Sequence, residues 1–124
     1  MNKEDNFKEK FKQALISTVK VISDDYKLEK EINKNLSSKN YNFFELDNLK
    51  SKEDYVKLRA ETDSEALKRK FSNKKIYQKN LPKNSSCRTL YDISEKIRYE
   101  ILGAEILKGI SKNLKDNYSN KIAL

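Results

Sequence analysis

Two acidic side chains in the last third of the chain are the first candidates for chemistry. Asp92 and Glu95 are three residues apart, so on a helix both carboxylates share one face, where a carboxylate pair can serve as general acid and base. Arg88, Lys96 and Arg98 are close in sequence, and such cations lower carboxyl pKa values and make poor general acids. We interpret this face as salt-bridged, and as a docking surface before a catalytic one.

The composition removes most other kinds of reactive site. The chain has no histidine and only one cysteine, so no nucleophile has a recognisable base beside it, and there is no zinc ligand set and no intramolecular disulfide. The two glycines cannot build a phosphate-binding loop. We therefore expect no catalytic, cofactor-binding or metal-binding residue and no cofactor in this chain, and we expect Cys87 to be a small buried residue.

The net charge of +8 comes from one local patch. No acid occurs between Glu65 and Asp92, and outside that interval the chain has 19 positive and 19 acidic residues. Phe71 and Tyr77 lie among the cations, and their aromatic rings could stack on nucleic-acid bases. Against this, most of the cations are lysines, and base recognition favours arginine. A small basic nucleic-acid-binding protein is thus the alternative hypothesis, and an acidic protein partner would fit the patch equally. The eight positive residues are Lys68, Arg69, Lys70, Lys74, Lys75, Lys79, Lys83 and Arg88.

Length and hydropathy indicate one small domain away from the membrane. The 124 residues, 36% of them hydrophobic, suffice for one modest core. The N-terminus is charged at once, and no run approaches the roughly 20 apolar residues of a membrane span. We expect a cytoplasmic protein.

The elements that position these residues should be mainly helical. Residues 5–22 have helical apolar spacing, with Asp5 or Asn6 as cap, and a second helix should begin after its cap Ser51. A short helix or turn follows in the basic patch. We predict a mainly α fold of three to four helices. The pattern also permits a two-stranded β element in which 27–33 pairs with 41–46.

The stretch from Ser85 to Leu114 is predicted as the longest helical system, capped by Ser85 or Ser86. Its first half has an apolar stripe that should face the core, with the charged residues opposite. After Gly103 the apolar direction turns by roughly 120°. A straight helix would then have to lie between two partners; otherwise we expect a bend or break at Gly103. We also expect close packing at Gly103 or Gly109. The stripe comprises Leu90, Ile93, Ile97, Ile101 and Ala104.

Five short sequence pieces, spread over nearly the whole chain, form a recognisable ordered set. They are F-K-x-A at 11–14, R-A-E-T-D-S-E-A-L at 59–67, L-P at 81–82, R-x-L-Y-D-x-x-E-x-x-R-x-E-x-x-G-A at 88–104 and G-I-S-K-N-L at 109–114. No piece is specific alone. The ordered set resembles the N-terminal region of the CobT subunit of aerobic cobaltochelatase.

This resemblance implies a subunit that supports ATP-dependent cobalt insertion in cobalamin biosynthesis through protein–protein contacts. Its partners would be an AAA+ subunit and a large chelatase subunit of one ligase complex, and self-association is left open. ATP, magnesium and cobalt belong to the whole complex. We expect residues 1–124 to be a single helical domain that lacks the family's C-terminal von Willebrand-like metal-binding domain. A free-standing helical adaptor is a further alternative.

The resemblance and the charged face together predict an interaction surface. Glu95, Arg98 and Glu100 match the family block at 88–104. Arg59 and Asp63 are one helical turn apart and form only a weak pair unless another helix half-buries them. The full predicted surface is Arg59, Asp63, Arg88, Asp92, Glu95, Arg98 and Glu100.

Overall fold

The part of the chain that the structure describes is almost entirely helical. The structure is a computed structural model and describes residues 3–24 and 49–123. The mainly α class is confirmed, whereas the predicted number of three to four helices is too low. The predicted pairing of 27–33 with 41–46 lies outside the described residues. The five described helices are α1 (Lys3–Ser23), α2 (Lys52–Phe71), α3 (Lys74–Asn80), α4 (Ser85–Ile106) and α5 (Lys108–Ile122).

Helix α2 is the element on which the longer helices assemble, because α1, α4 and α5 all contact it. Its start at Ser51 is confirmed and is determined locally. The Ser51 hydroxyl accepts a hydrogen bond from the Asp54 N–H, and the Asp54 carboxylate accepts one from the Ser51 N–H at 3.0 Å. This reciprocal capping box satisfies donors that a helix N-terminus otherwise leaves unpaired. The backbone hydrogen bonds lower the pKa of Asp54.

Helix α1 packs one face on α2, largely as its periodicity predicts. Leu15, Val19 and Ile22 are buried, but Phe7 is 57% exposed and meets the Tyr55 ring edge-on at 5.6 Å. The helix begins at Lys3, before either predicted cap. The core therefore draws on the second half of α1. The buried apolar side chains are Leu15, Ile16, Val19, Ile22, Leu49, Ala60, Ala66, Leu67, Tyr99, Ile110 and Leu114.

Helix α4 packs with its polar face inward, which is the reverse of the prediction. Tyr99, Glu100 and Gly103 are buried, and Ala104 is half-buried. The inward face makes contacts with α2 that an aliphatic face could not make, through a hydrogen-bonded carboxylate and a glycine that admits a neighbouring side chain. The stripe expected to be buried is instead 51–66% exposed at Leu90, Ile93, Ile97 and Ile101.

Gly103 allows α4 to approach α2 closely. A Cβ atom added there would lie 2.2 Å from Cδ2 and 2.8 Å from Cγ of Leu67, which is itself 1% exposed. The predicted close packing at Gly103 is therefore confirmed, and the helix continues unbroken through it to Ile106. The break falls at Leu107, whose backbone is extended (φ −125°, ψ 108°), and α5 begins directly afterwards.

The start of α4 differs from the prediction in two details. Its cap is Asn84, whose side-chain oxygen accepts hydrogen bonds from the N–H groups of Ser86 (2.9 Å) and Cys87 (3.4 Å). The predicted burial of Cys87 is wrong, because the first turn of α4 extends beyond the packed part of the helix and the thiol is exposed. None of the helices within the described ranges is both long and apolar enough to cross a membrane.

The Leu67–Gly103 contact leads to a first prediction. Gly103→Ala should lower the free energy of unfolding by up to about 2 kcal/mol, because overpacking costs roughly 1–3 kcal/mol and helix propensity returns only about 1 kcal/mol. Urea denaturation measures the change. Gly109→Ala is the matched control, since a Cβ there meets no atom within 4 Å, and it should leave stability unchanged or raised. Equal effects of the two substitutions would contradict the close packing.

Candidate functional site

The seven residues of the predicted interaction surface do not lie on one surface. Asp63 and Glu100 are buried between helices, at 1% and 7% exposure, and Arg59 is half-buried. The remaining four residues lie on α4, with Glu95 half-buried and the others exposed. The structure therefore separates an internal group from a group at the rim of the α2–α3–α4 junction.

The internal group belongs to a polar cluster, which we define as the buried Asp63, Ser64 and Glu100, the half-buried Asn113, and Tyr118, which is 39% exposed. The Ser64 hydroxyl donates to Oε1 of Glu100 and the Tyr118 hydroxyl donates to Oε2, each at 2.6 Å. Both oxygens of this buried carboxylate are thus hydrogen-bonded, which offsets the cost of removing it from water. Burial, followed by the contact with Glu100, raises the pKa of Tyr118. The carboxylate joins α2, α4 and α5.

Asp63 occupies a less complete environment in the same cluster. Nδ2 of Asn113 donates to Oδ2 of Asp63 at 2.7 Å, which connects α2 to α5. Among the described residues, Oδ1 of Asp63 and Nε of Arg59 are buried without a hydrogen-bond partner. Burial raises the pKa of the Asp63 carboxyl, and the Asn113 hydrogen bond and the charge of Arg59 oppose that rise.

The rim group begins with an ion pair that joins α4 to the end of α2. Arg98 binds both oxygens of Glu95, at 2.6 and 3.0 Å, and also donates to the backbone oxygen of Phe71 at 2.8 Å. Glu95 accepts a further hydrogen bond from the Ser72 hydroxyl at 2.6 Å. Arg98 lowers the pKa of Glu95, and Ser72 contributes. This carboxylate is a structural acceptor and a poor proton donor.

Asp92 and Arg88 hold α3 and the residues that follow it. The Tyr77 hydroxyl donates to the Asp92 carboxylate, and this contact raises the pKa of Tyr77. Nε of Arg88 donates to the backbone oxygen of Pro82 at 2.7 Å. Both α4 residues are therefore engaged in folding the connection that carries the basic patch, while their side chains stay exposed to solvent.

An open groove of about 830 Å³ lies between α2, α3 and α4. Its volume is in the range of small-molecule sites, but its walls carry both signs of charge, with Lys68, Lys74 and Lys96 facing the same space as Asp92 and Glu95. Lys68, Arg69 and Lys74 of the basic patch thus line a mixed-charge groove. The linear order of the patch in the sequence did not indicate that Asp92 and Glu95 of α4 would line the same groove.

Sequence reasoning missed the hydroxyl and amide partners of the carboxylates. Ser64 and Asn113 lie in the family-resembling pieces at 59–67 and 109–114. That location could have marked them as candidate partners of the carboxylates. Nothing in the spacing marked Ser72 or Tyr118, which acquire their roles only when α2, α4 and α5 pack together.

The Ser64–Glu100 hydrogen bond can be tested by removing its donor. Ser64→Ala should lower the free energy of unfolding by about 1–3 kcal/mol, because a buried carboxylate oxygen loses its partner. Ser111→Ala, at an exposed position of α5, is the control and should change stability by less than about 0.5 kcal/mol. Chemical denaturation compares the two variants. A loss no larger than that of the control would show that the bond does not stabilise the fold.

The raised pKa of Asp63 predicts a pH dependence. A group whose pKa is higher folded than unfolded stabilises the fold below its unfolded pKa, near 3.8, and that contribution is lost as pH rises through the folded pKa. Asp63→Asn removes this titration. The stability of the variant relative to the parent should therefore increase as pH rises from about 4 towards 7, as measured by urea denaturation in that window. A difference that stays constant, or that falls with pH, would contradict the assignment.

Comparison with known families identifies the chain. Residues 5–123 match the family described as Cobalamin biosynthesis protein CobT. Comparisons with curated proteins and with solved structures give no match. The matched range includes the pieces at 59–67 and 88–104, which supply both sides of the α2–α4 contact through Ser64, Leu67, Glu100 and Gly103. Because the match covers almost the whole length, the chain belongs to the CobT family of cobalamin biosynthesis proteins.

Proposed function

We propose that this chain is the N-terminal helical domain of a CobT-like cobaltochelatase subunit. It supports ATP-dependent cobalt insertion through contacts with an AAA+ subunit and a large chelatase subunit in the cytoplasm. The observation that carries the proposal is the family match over residues 5–123. The ordered pieces at 59–67, 88–104 and 109–114 support the more specific role, because they resemble the N-terminal region of that subunit.

The geometry favours a binding role over a catalytic one for the residues described. Asp92 and Glu95, the acidic pair first considered for catalysis, accept hydrogen bonds from Tyr77, Ser72 and Arg98. Their carboxylates hold three helices in place, and Arg98 keeps the pKa of Glu95 low. Such groups suit electrostatic recognition of a partner better than proton transfer.

The contact surface that we propose is narrower than the set of seven residues. Asp63 and Glu100 act inside the domain, where they position α4. Arg88, Asp92 and Arg98 are exposed on α4, and Asp92 also lines the mixed-charge groove. A partner that docks there meets alternating charges, which gives specificity and orientation more than affinity.

Nucleic-acid binding receives less support from the structure. Phe71 is half-buried against the core, and the Tyr77 hydroxyl is engaged by Asp92. Neither ring is presented as a free stacking platform of the kind that single-stranded nucleic acid requires. The exposed lysines remain compatible with phosphate contacts. Electrophoretic mobility with short DNA and RNA discriminates, since salt-sensitive binding at sub-micromolar concentration would favour this alternative.

Co-purification with the AAA+ subunit tests the proposal. We expect the tagged chain to retain that subunit in at least one of its ATP-bound and ADP-bound states. Arg88→Glu should weaken retention roughly tenfold, about 1.4 kcal/mol, by reversing a charge on the proposed surface. Lys108→Glu, an equivalent charge reversal at the exposed start of α5, should bind like the parent.

Failure to bind in both nucleotide states would contradict the proposed partner, provided that a CobT subunit with its C-terminal domain binds in the same assay. Equal weakening by Arg88→Glu and Lys108→Glu would contradict the proposed surface and would indicate only a general charge effect.

A further inference from the structure

The outward face of α4 carries an apolar stripe that the described helices leave uncovered. Its four aliphatic side chains are each more than half exposed. They are neighbours on one face of the helix, within two consecutive heptads. Isolated exposed apolar residues are ordinary on protein surfaces, whereas contiguous ones mark interaction sites. The stripe consists of Leu90 (66% exposed), Ile93 (51%), Ile97 (51%) and Ile101 (54%), followed by the half-buried Ala104.

The spacing of the stripe is symmetric about Ile97. The steps between its members are three, four, four and three residues, so the order of spacings is the same in both directions along the helix. At about 100° per residue, all five members lie within roughly 40° of the Ile97 direction. A two-fold axis at Ile97 would place Ile93 opposite Ile101, and Leu90 opposite Ala104. We propose that a second copy of this chain covers the stripe, with α4 packed antiparallel on α4 of the partner copy.

Charge and dipole both suit this arrangement. Helix α4 contains three basic and four acidic residues, whereas seven of the eight cations of the basic patch lie between Lys68 and Lys83, outside α4. Two copies that meet through α4 therefore bring together nearly neutral helices and keep the basic segments out of the contact. Antiparallel packing also sets the N-terminal end of each helix dipole beside the C-terminal end of the other. A two-fold contact uses the same patch on both copies, as the palindromic spacing requires.

The size of the stripe predicts a weak dimer. It spans 15 residues, and its two ends are about 21 Å apart along the helix. Four partly exposed aliphatic side chains offer a few hundred Å², which is less than the roughly 800 Å² that each partner contributes to a standard stable interface. The dimer should therefore form in a concentration-dependent way and dissociate on dilution. This inference uses only the surface of α4 and does not depend on the proposed function.

Analytical ultracentrifugation of the 124-residue chain tests the dimer. The weight-average mass should rise from monomer towards dimer between low-micromolar and near-millimolar protein. Ile97→Lys should remain monomeric over that range with an unchanged melting temperature, because the side chain is exposed in the monomer. Ile76→Lys is the matched control, since Ile76 is 60% exposed on α3 away from the stripe, and it should dimerise like the parent.

Disulfide cross-linking tests the antiparallel register. In a Cys87→Ser background, Ile97→Cys lies on the two-fold axis and should give a covalent dimer on oxidation. Leu90→Cys should not, because antiparallel packing separates the two copies of that position by about 21 Å, and a disulfide needs Cα atoms within about 7 Å. Comparable cross-linking at both positions would show parallel packing and overturn the proposal.

Two further outcomes would also overturn it. The first is a monomer at every concentration. The second is an Ile97→Lys variant that melts at a lower temperature than the parent with no difference in mass, which would show that the stripe is covered from within the same chain.

Discussion

The packing of Leu67 against Gly103 determines how the described helices fit together. Only a glycine leaves room for the Leu67 side chain at that point of α4, so the face that carries Gly103 must be the one turned towards α2. Ser64 and Glu100, each three residues earlier on its own helix, form a hydrogen bond at the same interface. With α4 held in this way, its aliphatic side chains face outward. The break at Leu107 then allows α5 to return to α2, where Ile110 and Leu114 enter the core.

The polar contacts at this interface provide orientation more than net stability. A buried carboxylate is costly to desolvate, and its hydrogen bonds recover that cost only when their geometry is correct. Glu100 has a donor on each oxygen, so rotation of α4 away from α2 would leave a buried charge unpaired. Asp63 is only partly compensated, and its raised pKa reflects that difference. An aliphatic interface would tolerate sliding and rotation far better than this one.

Local features of the fold could be predicted from the sequence, whereas features that depend on the choice of neighbour could not. The Ser51 cap depends on residues within one turn, and the inward side chains in the second half of α1 depend on a single regular stripe. In α4, periodicity located an apolar stripe correctly but carried no information about which face would meet α2. Gly103 indicated close packing and, because glycine has a low helix propensity, also a bend or break. The structure confirms the close packing, whereas the break falls at Leu107. The partners of the carboxylates come from distant parts of the chain, so spacing alone could not identify them.

These contacts also explain what the family resemblance contains. Ser64, Leu67, Glu100 and Gly103 belong to the family-resembling pieces, and their observed roles are to pack and orient α2 and α4. The same pieces also contain Arg88, Asp92 and Arg98, the exposed residues of the proposed contact surface.

The packing of α4 on α2 through its polar face can be tested most directly by a nuclear Overhauser measurement on methyl-labelled protein. We expect strong cross-peaks between the Leu67 methyl groups and the Gly103 Hα protons, and none between those methyl groups and Ile93 or Ile97. Cross-peaks from Leu67 to Ile93 and Ile97, with none to Gly103, would show that the apolar stripe faces the core and would contradict this packing.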